Sequence, residues 1–245
     1  MYSFGSGVLL GTRTDIANAT PVNFGLVQEV TIDETATIKE LTGQFQRPVA
    51  IARGTIKTTG KAKVARISGM AFANLYYGVI PTAGQLATSF AEADTVAATT
   101  PFIVTVANSA TFVADAGVLY AATGLPLTLV ASAPAAAQYS VAAGVYTFNS
   151  GDAGKAVLVN YTYAISSAGQ KFTVVNQLLG TTPTFQAVFY TTFQGQAISL
   201  KLNNCTSNKL SFQTKLEDFT LPEFDFSCFA DASGNVMTWS FAEDS

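Results

Sequence analysis

The chain has 245 residues, of which 49% are hydrophobic and only 12% are charged, and its formal net charge is −3. Soluble proteins usually contain about 25% charged residues, so this surface must be poor in charge, and such surfaces tend to contact other proteins. The net negative charge argues against a basic nucleic-acid-binding domain. No apolar run approaches the roughly 18 residues of a membrane-spanning helix, so we expect no membrane association.

The chain contains no histidine, which removes the commonest general base and the commonest zinc ligand. Catalysis by paired carboxylates, as in a glycoside hydrolase, would need two opposed carboxyl groups, and no motif brings such a pair together. We therefore expect no enzymatic activity, no catalytic residue, no metal and no cofactor. Cys205 and Cys228 form no C-x-x-C motif; two free thiols are the first expectation, with a disulfide as the alternative.

The first third of the chain contains two predicted strands and a helix. Residues 1–24 show little periodicity and predict an extended N-terminal arm. Apolar and polar residues alternate over 29–39 and again over 49–67, as in half-buried strands. Residues 69–78, between two glycines, have the spacing of one short helix.

The middle of the chain differs in composition. Residues 81–170 contain only five charged side chains: Glu92, Asp94, Asp115, Asp152 and Lys155. Strand-like runs such as 102–107, 127–132, 144–148 and 155–163 are separated by turn signals, which predicts an inserted β-rich module over 81–169 and not a linker.

Strand patterns resume after Gly169, at 185–193, 197–204, 209–221, 223–230 and 236–241. In the fourth of these runs, Phe224 and Phe226 share one face while Glu223 and Asp225 share the other. Trp239, next to Phe241, is expected in the core. The whole pattern predicts an all-β fold with one short flanking helix.

The most basic stretch, RGTIKTTGKAKVARISG at 53–69, resembles a phosphate-binding loop only superficially. Five residues separate Gly54 from Gly60 where the motif has four, Ala62 stands where a Ser or Thr would bind magnesium, and a strand follows in place of a helix. The stretch also lacks the aromatic side chains that stack on nucleic-acid bases.

A simpler interpretation is a strand whose cations face carboxylates, on an adjoining strand or on a neighbouring subunit. The candidate inter-subunit residues are Lys57, Lys61, Lys63 and Arg66.

Two segments, VTIDETATIKELTGQFQRPVAIARGTIKTTGKAKVARISGMAFANLYYG and ISLKLNNCTSNKLSFQTKLEDFTLPEFDFSCFADASGNVMTWSF, resemble the opening and closing parts of the major tail tube proteins of tailed bacteriophages. The run LEDFTLPEFDFSCFADASGNV is the most specific piece. The middle, QYSVAAGVYTFNSGDAGKAVLVNYTY, is similar to a β module of phage structural proteins. The resemblance covers about 25–80 and 165–245 well and the centre loosely.

This resemblance implies a β-sandwich or barrel core over 25–80 and 170–245. Six copies would form a ring, and stacked rings would form a tube that conducts viral DNA without binding it specifically. Further partners would be tape measure and tail-completion proteins, and the protein would be located in the virion after assembly in the host cytoplasm. The candidate residues for an acidic channel lining are Glu29, Asp33, Glu223 and Asp225.

The inserted module departs from the minimal pattern of this family. On the outside of the tube it would crowd a contractile sheath, which favours a non-contractile tail. The alternative function is a carbohydrate- or receptor-binding β-sandwich module of a phage or cell surface. Its binding residues would be the tyrosines of the insert, Tyr139, Tyr146, Tyr161 and Tyr163.

Overall fold

The structure is a computed structural model that describes residues 5–66, 68–214 and 216–242. The parts of the predicted arm, strands and C-terminal region that fall on residues 1–4, 67, 215 and 243–245 lie outside the described residues. The predicted all-β class with one short helix is confirmed, and no sheet closes into a barrel in the described part of the chain.

Fifteen strands are described, in chain order β1 (Val8–Arg13), β2 (Val22–Asn23), β3 (Val27–Leu41), β4 (Ala50–Val64), β5 (Thr82–Thr95), β6 (Ile103–Thr105), β7 (Phe112–Tyr120), β8 (Thr128–Leu129), β9 (Gln138–Ala142), β10 (Val145–Phe148), β11 (Ala156–Lys171), β12 (Thr184–Phe193), β13 (Gln196–Ser211), β14 (Glu223–Phe229) and β15 (Met237–Phe241). A helix begins as an α-helical turn, α1, at Gly69–Ala71 and continues as a π-helix over Phe72–Tyr76. Single 3₁₀ turns lie at Ser109–Thr111 and Ser150–Asp152.

The strands belong to two compact units. The core unit comprises the chain up to Pro81 together with the part from Phe172 onward, and the inserted unit comprises Thr82–Lys171. No helix in the described ranges is long and apolar enough to span a bilayer.

The core unit is built on one antiparallel sheet with the order β2-β1-β12-β13-β14-β4-β3, and β15 pairs with part of β13. Alternate residues of these strands point to one side, where they form the hydrophobic core with the helix. Phe185, Phe224 and Phe226 are fully buried there, and their rings contact one another.

Three sequence predictions for the core unit need correction. The N-terminal segment is not a separate arm over residues 8–23, because β1 pairs with β12 and places Leu9 in the core. Residues 205–208 do not separate two strands but lie within β13, which bends at a bulge near Ser207. The strand predicted over 209–221 ends at Ser211, and the described residues after it form an irregular segment.

The inserted unit has a core of its own. Its two sheets have the orders β6-β10-β9-β8 and β5-β11-β7. Side chains from both sheets, including Tyr146 of β10 and Tyr161 of β11, meet in a single hydrophobic cluster. The sequence did not predict β5 as a strand, although it pairs with β11 along most of its length.

Candidate functional surfaces: a charged sheet face and an exposed hairpin

The side of the core sheet opposite the hydrophobic core carries a cluster of charges. Because residues directly opposite one another in a ladder lie on the same face, the register of β3, β4, β14 and β13 decides which charges meet. Glu29 lies opposite Lys63, which lies opposite Glu223. We call this surface the charged face; its ionic side chains are Glu29, Asp33, Lys61, Lys63, Lys209, Glu223 and Asp225.

The charges on this face form two groups of ion pairs, one between β3 and β4 and one that joins β4, β14 and β13. The Nζ atom of Lys63 lies 2.6 Å from a carboxylate oxygen of Glu29. The Nζ atom of Lys61 lies 3.0 Å from Glu223, and that of Lys209 lies 3.4 Å from the same carboxylate and 4.0 Å from Asp225. Each lysine therefore has a carboxylate partner within its own subunit.

These contacts favour the ionised forms of Glu29, Lys63 and Glu223. The hydrogen bond from Lys63 lowers the pKa of Glu29 below its usual value, and the same bond raises the pKa of Lys63. The hydrogen bond from Lys61 lowers the pKa of Glu223. As partly exposed pairs, these ion pairs add little to the stability of the fold.

The structure brings the predicted acidic residues together but does not separate them from two of the predicted basic residues. Glu29 and Asp33 on β3 share one face with Glu223 and Asp225 on β14, where the sequence left two separate faces open. Lys61 and Lys63 lie between them on β4. In the subunit, these lysines therefore meet carboxylates of adjoining strands, which was one of the two interpretations of the basic stretch.

The other two basic candidates lie outside this cluster of ion pairs. Lys57 lies on the same side of β4 as Lys61 and Lys63 but is exposed, beyond the last residue of that strand that pairs with β14. Arg66 is exposed just after β4. Neither makes an ion pair with a residue in the described ranges.

The distal half of the β3–β4 hairpin forms a second notable surface, which we call the hairpin ribbon (residues 36–56). β14 pairs with β4 only over 58–63, so within the described residues the ribbon has two strands and no third. Its large apolar side chains are exposed, with 62% for Ile38 and 64% for Ile51 as examples. The full set is Ile38, Leu41, Phe45, Val49, Ile51 and Ile56.

Further exposed apolar residues lie in two irregular segments of the core unit. Leu178 and Leu179 are almost fully exposed between β11 and β12, and Leu216 and Phe219 are equally exposed between β13 and β14. Trp239 and Phe241 stack on each other on β15 but remain about half exposed, so the predicted place of Trp239 in the core is wrong.

The tyrosines of the inserted unit do not form a binding platform. Tyr139, Tyr146 and Tyr161 are buried, and burial together with hydrogen bonds to Asp115 raises the pKa of Tyr139 and Tyr146 far above its usual value. Both of these hydroxyls donate to Asp115, at 2.6 and 2.9 Å. Three of the four residues expected to carry carbohydrate binding are therefore part of the core.

A groove of about 560 Å³ lies between the β1–β2 connection and the helix of the core unit. The titratable side chain among its described lining residues is Arg13. Its guanidinium already donates to the carboxylate of Asp15 and to the carbonyl oxygen of Gly78. The groove therefore presents no pair of ionisable groups that could act as acid and base.

No cluster of three or more acidic or cysteine side chains suited to a metal ion occurs in the part of the chain that the structure describes.

The glycine of the apparent phosphate-binding loop has a packing role. Gly60 lies on the core side of β4, and a Cβ atom there would come within 2.2 Å of the ring of Phe226. The basic stretch is a sheet strand with a glycine beneath an aromatic ring, and the charged face and the hairpin ribbon are the surfaces left for function.

No protein-family model matches this chain, and a search of curated proteins likewise gives no match.

Proposed function

We propose that this protein is a structural subunit of the tail tube of a tailed bacteriophage. Six copies form a ring, and stacked rings enclose a channel through which viral DNA passes into the host. The observation that carries this proposal is the hairpin ribbon, since its exposed apolar side chains need a partner that a lone subunit does not supply. The resemblance of the two ends of the chain to tail tube proteins supports other copies of the same chain as that partner.

The energetics of the ribbon support this assignment. An isolated two-stranded hairpin is at best marginally stable in water, because it buries little apolar surface. Here the ribbon continues a strand pair that is anchored in the core sheet, and it exposes six large apolar side chains beyond that anchor. So many large exposed apolar side chains on one short ribbon favour a protein contact.

The edge strand of the core sheet also supports assembly with other copies of the chain. β3 is the terminal strand of the sheet order, so its outer backbone groups have no neighbouring strand within the described residues. Such an edge favours pairing with another chain, and closure into a ring satisfies it without continued aggregation. A symmetric ring also presents the same ribbon and edge once in every copy.

The charged face is suited to line a channel for DNA. It has four carboxylates and three lysines over the length where β4 pairs with β14, and Lys57 lies on the same side of β4 beyond that length. A lysine without a carboxylate partner would bind the phosphate groups of the DNA, with an affinity that depends on the salt concentration. The lysines of this face are already held by carboxylates, the closest at 2.6 Å, which reduces their attraction for a passing phosphate.

Assembly is tested with the purified chain by electron microscopy and by light scattering after size exclusion. The wild type should form rings or tubes as its concentration rises. The double variant Ile38→Lys/Ile51→Lys should stay monomeric with an unchanged circular dichroism spectrum. The matched control Leu86→Lys, at an exposed apolar position of the inserted unit, should assemble normally. A wild-type chain that remains monomeric at high concentration and in the presence of tail proteins would refute the proposal.

The channel assignment is tested in the parent phage with the double variant Glu29→Gln/Glu223→Gln. This change leaves the three lysines of the charged face without two of their partners, so tubes should form while DNA ejection slows, most of all at low salt. Glu217→Gln, at an exposed site outside the sheet, is the control. Normal ejection by the double variant would show that this face lies outside the channel.

A further inference from the structure

The two cysteines, which the proposed function does not use, lie side by side in the core unit. Cys205 on β13 is directly opposite Cys228 on β14 in the antiparallel ladder. Their Sγ atoms are 3.3 Å apart, and both are free thiols. Directly opposed residues in such a ladder have Cα atoms about 4.5–5.5 Å apart, which lies within the range that a disulfide spans.

The two thiols differ in accessibility. Cys205 is fully buried among core side chains, whereas Cys228 is only partly buried and is followed by the exposed Phe229 at the end of β14. A small reagent in solution can therefore approach Cys228 first, and the Sγ atom of the buried Cys205 is in contact with the Sγ atom of Cys228.

The contact between the sulfurs also makes them chemically unequal. The hydrogen bond with Cys205 lowers the pKa of the Cys228 thiol, against the opposing effect of burial. The same hydrogen bond and burial raise the pKa of Cys205. Thiolates and not thiols attack disulfides, so Cys228 is the better initial nucleophile.

We propose that Cys205 and Cys228 are a redox-active pair that a small-molecule disulfide, such as oxidised glutathione, converts into a cross-strand disulfide. The Cys228 thiolate attacks one glutathione sulfur, which breaks the glutathione disulfide and releases one glutathione thiolate. That thiolate takes up the proton of Cys205. The Cys205 sulfur then attacks Cys228, the mixed disulfide breaks, and the second glutathione leaves as a thiolate, which takes up from solvent the proton that Cys228 gave up when it ionised. The protein loses two hydrogen atoms, and one oxidised glutathione becomes two reduced molecules.

The bond would join β13 to β14, two of the four strands that carry the charged face. Because the cysteines are 23 residues apart in the sequence, the link would close the loop that includes the irregular segment after β13. A cross-link of this loop length restricts the unfolded chain and raises the melting temperature of the core unit by about 5–10 °C. The pair would thus stay reduced in a reducing compartment and strengthen the sheet in an oxidising one. This inference does not depend on tube assembly.

The test uses the full chain, reduced with dithiothreitol, freed of reductant and then incubated in its native state with oxidised glutathione. Alkylation after unfolding and peptide mapping without reductant should show both thiols protected and the Cys205 peptide joined to the Cys228 peptide. The melting temperature should rise and then fall again on addition of dithiothreitol.

Two variants separate the steps. Cys205→Ser should stop at a stable glutathione adduct on Cys228, and Cys228→Ser should leave the buried Cys205 reduced. The proposal is overturned if the wild-type thiols both remain alkylatable after prolonged incubation, if glutathione persists on Cys228 of the wild type, or if the disulfide joins two chains.

Discussion

Replacing Gly60 by alanine should destabilise the core unit, because the ring of Phe226 occupies the space that a Cβ atom needs. A Cβ atom at this position would lie 2.2 Å from both Cε2 and Cζ of that ring. Carbon atoms normally approach to about 3.5–4.0 Å, so the ring would have to move by more than about 1 Å. Phe226 is fully buried, with the rings of Phe185 and Phe224 at centroid distances of 5.9 and 6.3 Å, and has little room to do so.

The expected magnitude is the difference of two effects. Overpacking a well-filled core costs about 1–3 kcal/mol, and the depth of this overlap favours the upper part of that range. Replacing a glycine by alanine restricts the unfolded chain and returns about 0.4–1 kcal/mol. The net loss in the free energy of unfolding should be about 2 kcal/mol, which corresponds to about 4–8 °C in the melting temperature of a unit of this size.

Urea and thermal denaturation followed by circular dichroism would measure this loss. Gly43→Ala is the matched control, because a Cβ there meets no atom within 4 Å, and its effect should stay within about 0.5 kcal/mol. Phe226→Leu combined with Gly60→Ala should recover part of the loss, with a coupling energy of about 1 kcal/mol or more. A Gly60→Ala variant as stable as Gly43→Ala would refute the packing argument.

Three further substitutions test the electrostatic features. Lys63 faces carboxylates on both flanking strands, so the variant Lys63→Glu should lower the melting temperature more at low than at high ionic strength. Lys57 lacks such partners in the described ranges, so the variant Lys57→Glu should change the melting temperature little. Asp152→Asn in the inserted unit should lower the free energy of unfolding by about 2 kcal/mol. Burial acts to raise the pKa of this carboxyl, but hydrogen bonds from Lys155 and Tyr120 hold it below its usual value. Its stabilisation is therefore present above about pH 4 and is lost as the pH falls through the folded-state pKa, so the variant should show a flatter acid dependence than the wild type. The variant Tyr161→Phe removes a hydroxyl that donates a hydrogen bond to Glu92 at 2.6 Å. It should lower the free energy of unfolding, measured by denaturant titration, by about 1–2 kcal/mol. Tyr163→Phe serves as the control.

The sequence predicted those strands whose apolar and polar residues alternate cleanly. The alternation over 29–39 and 223–230 identified β3 and β14 and also the face on which each charge lies, because the side-chain period of a strand is fixed by its backbone. The same pattern could not predict which strands are neighbours. β14 lies against β4 although about 160 residues separate them, and only this register brings Glu223 to Lys61.

The strands that the sequence missed have tertiary causes. β1 reads VLLGTR, and its glycine breaks the local strand signal. A Cβ at Gly11 would lie 2.5 Å from a methyl group of Leu75, so close packing of the helix requires glycine there. β5 is rich in alanine and acidic residues, which individually disfavour strands, and it is held by pairing along β11.

Trp239 was expected in the core because large aromatic side chains usually lie there. It lies on β15, which pairs with β13 only over the first part of that strand. Trp239 is about half exposed, which the local sequence pattern does not encode.

The exposed apolar side chains are distributed differently in the two units. In the core unit they occur in runs along the chain, in the hairpin ribbon, between β11 and β12, and between β13 and β14. In the inserted unit they are spread singly over several strands and turns. Scattered exposed apolar residues are ordinary on a soluble surface, whereas runs mark contact sites. In the inserted unit, three of its few carboxylates accept hydrogen bonds from tyrosine hydroxyls. The core unit therefore carries the surfaces that a tube would use, and the inserted unit is the part that a tube could carry without using it to assemble.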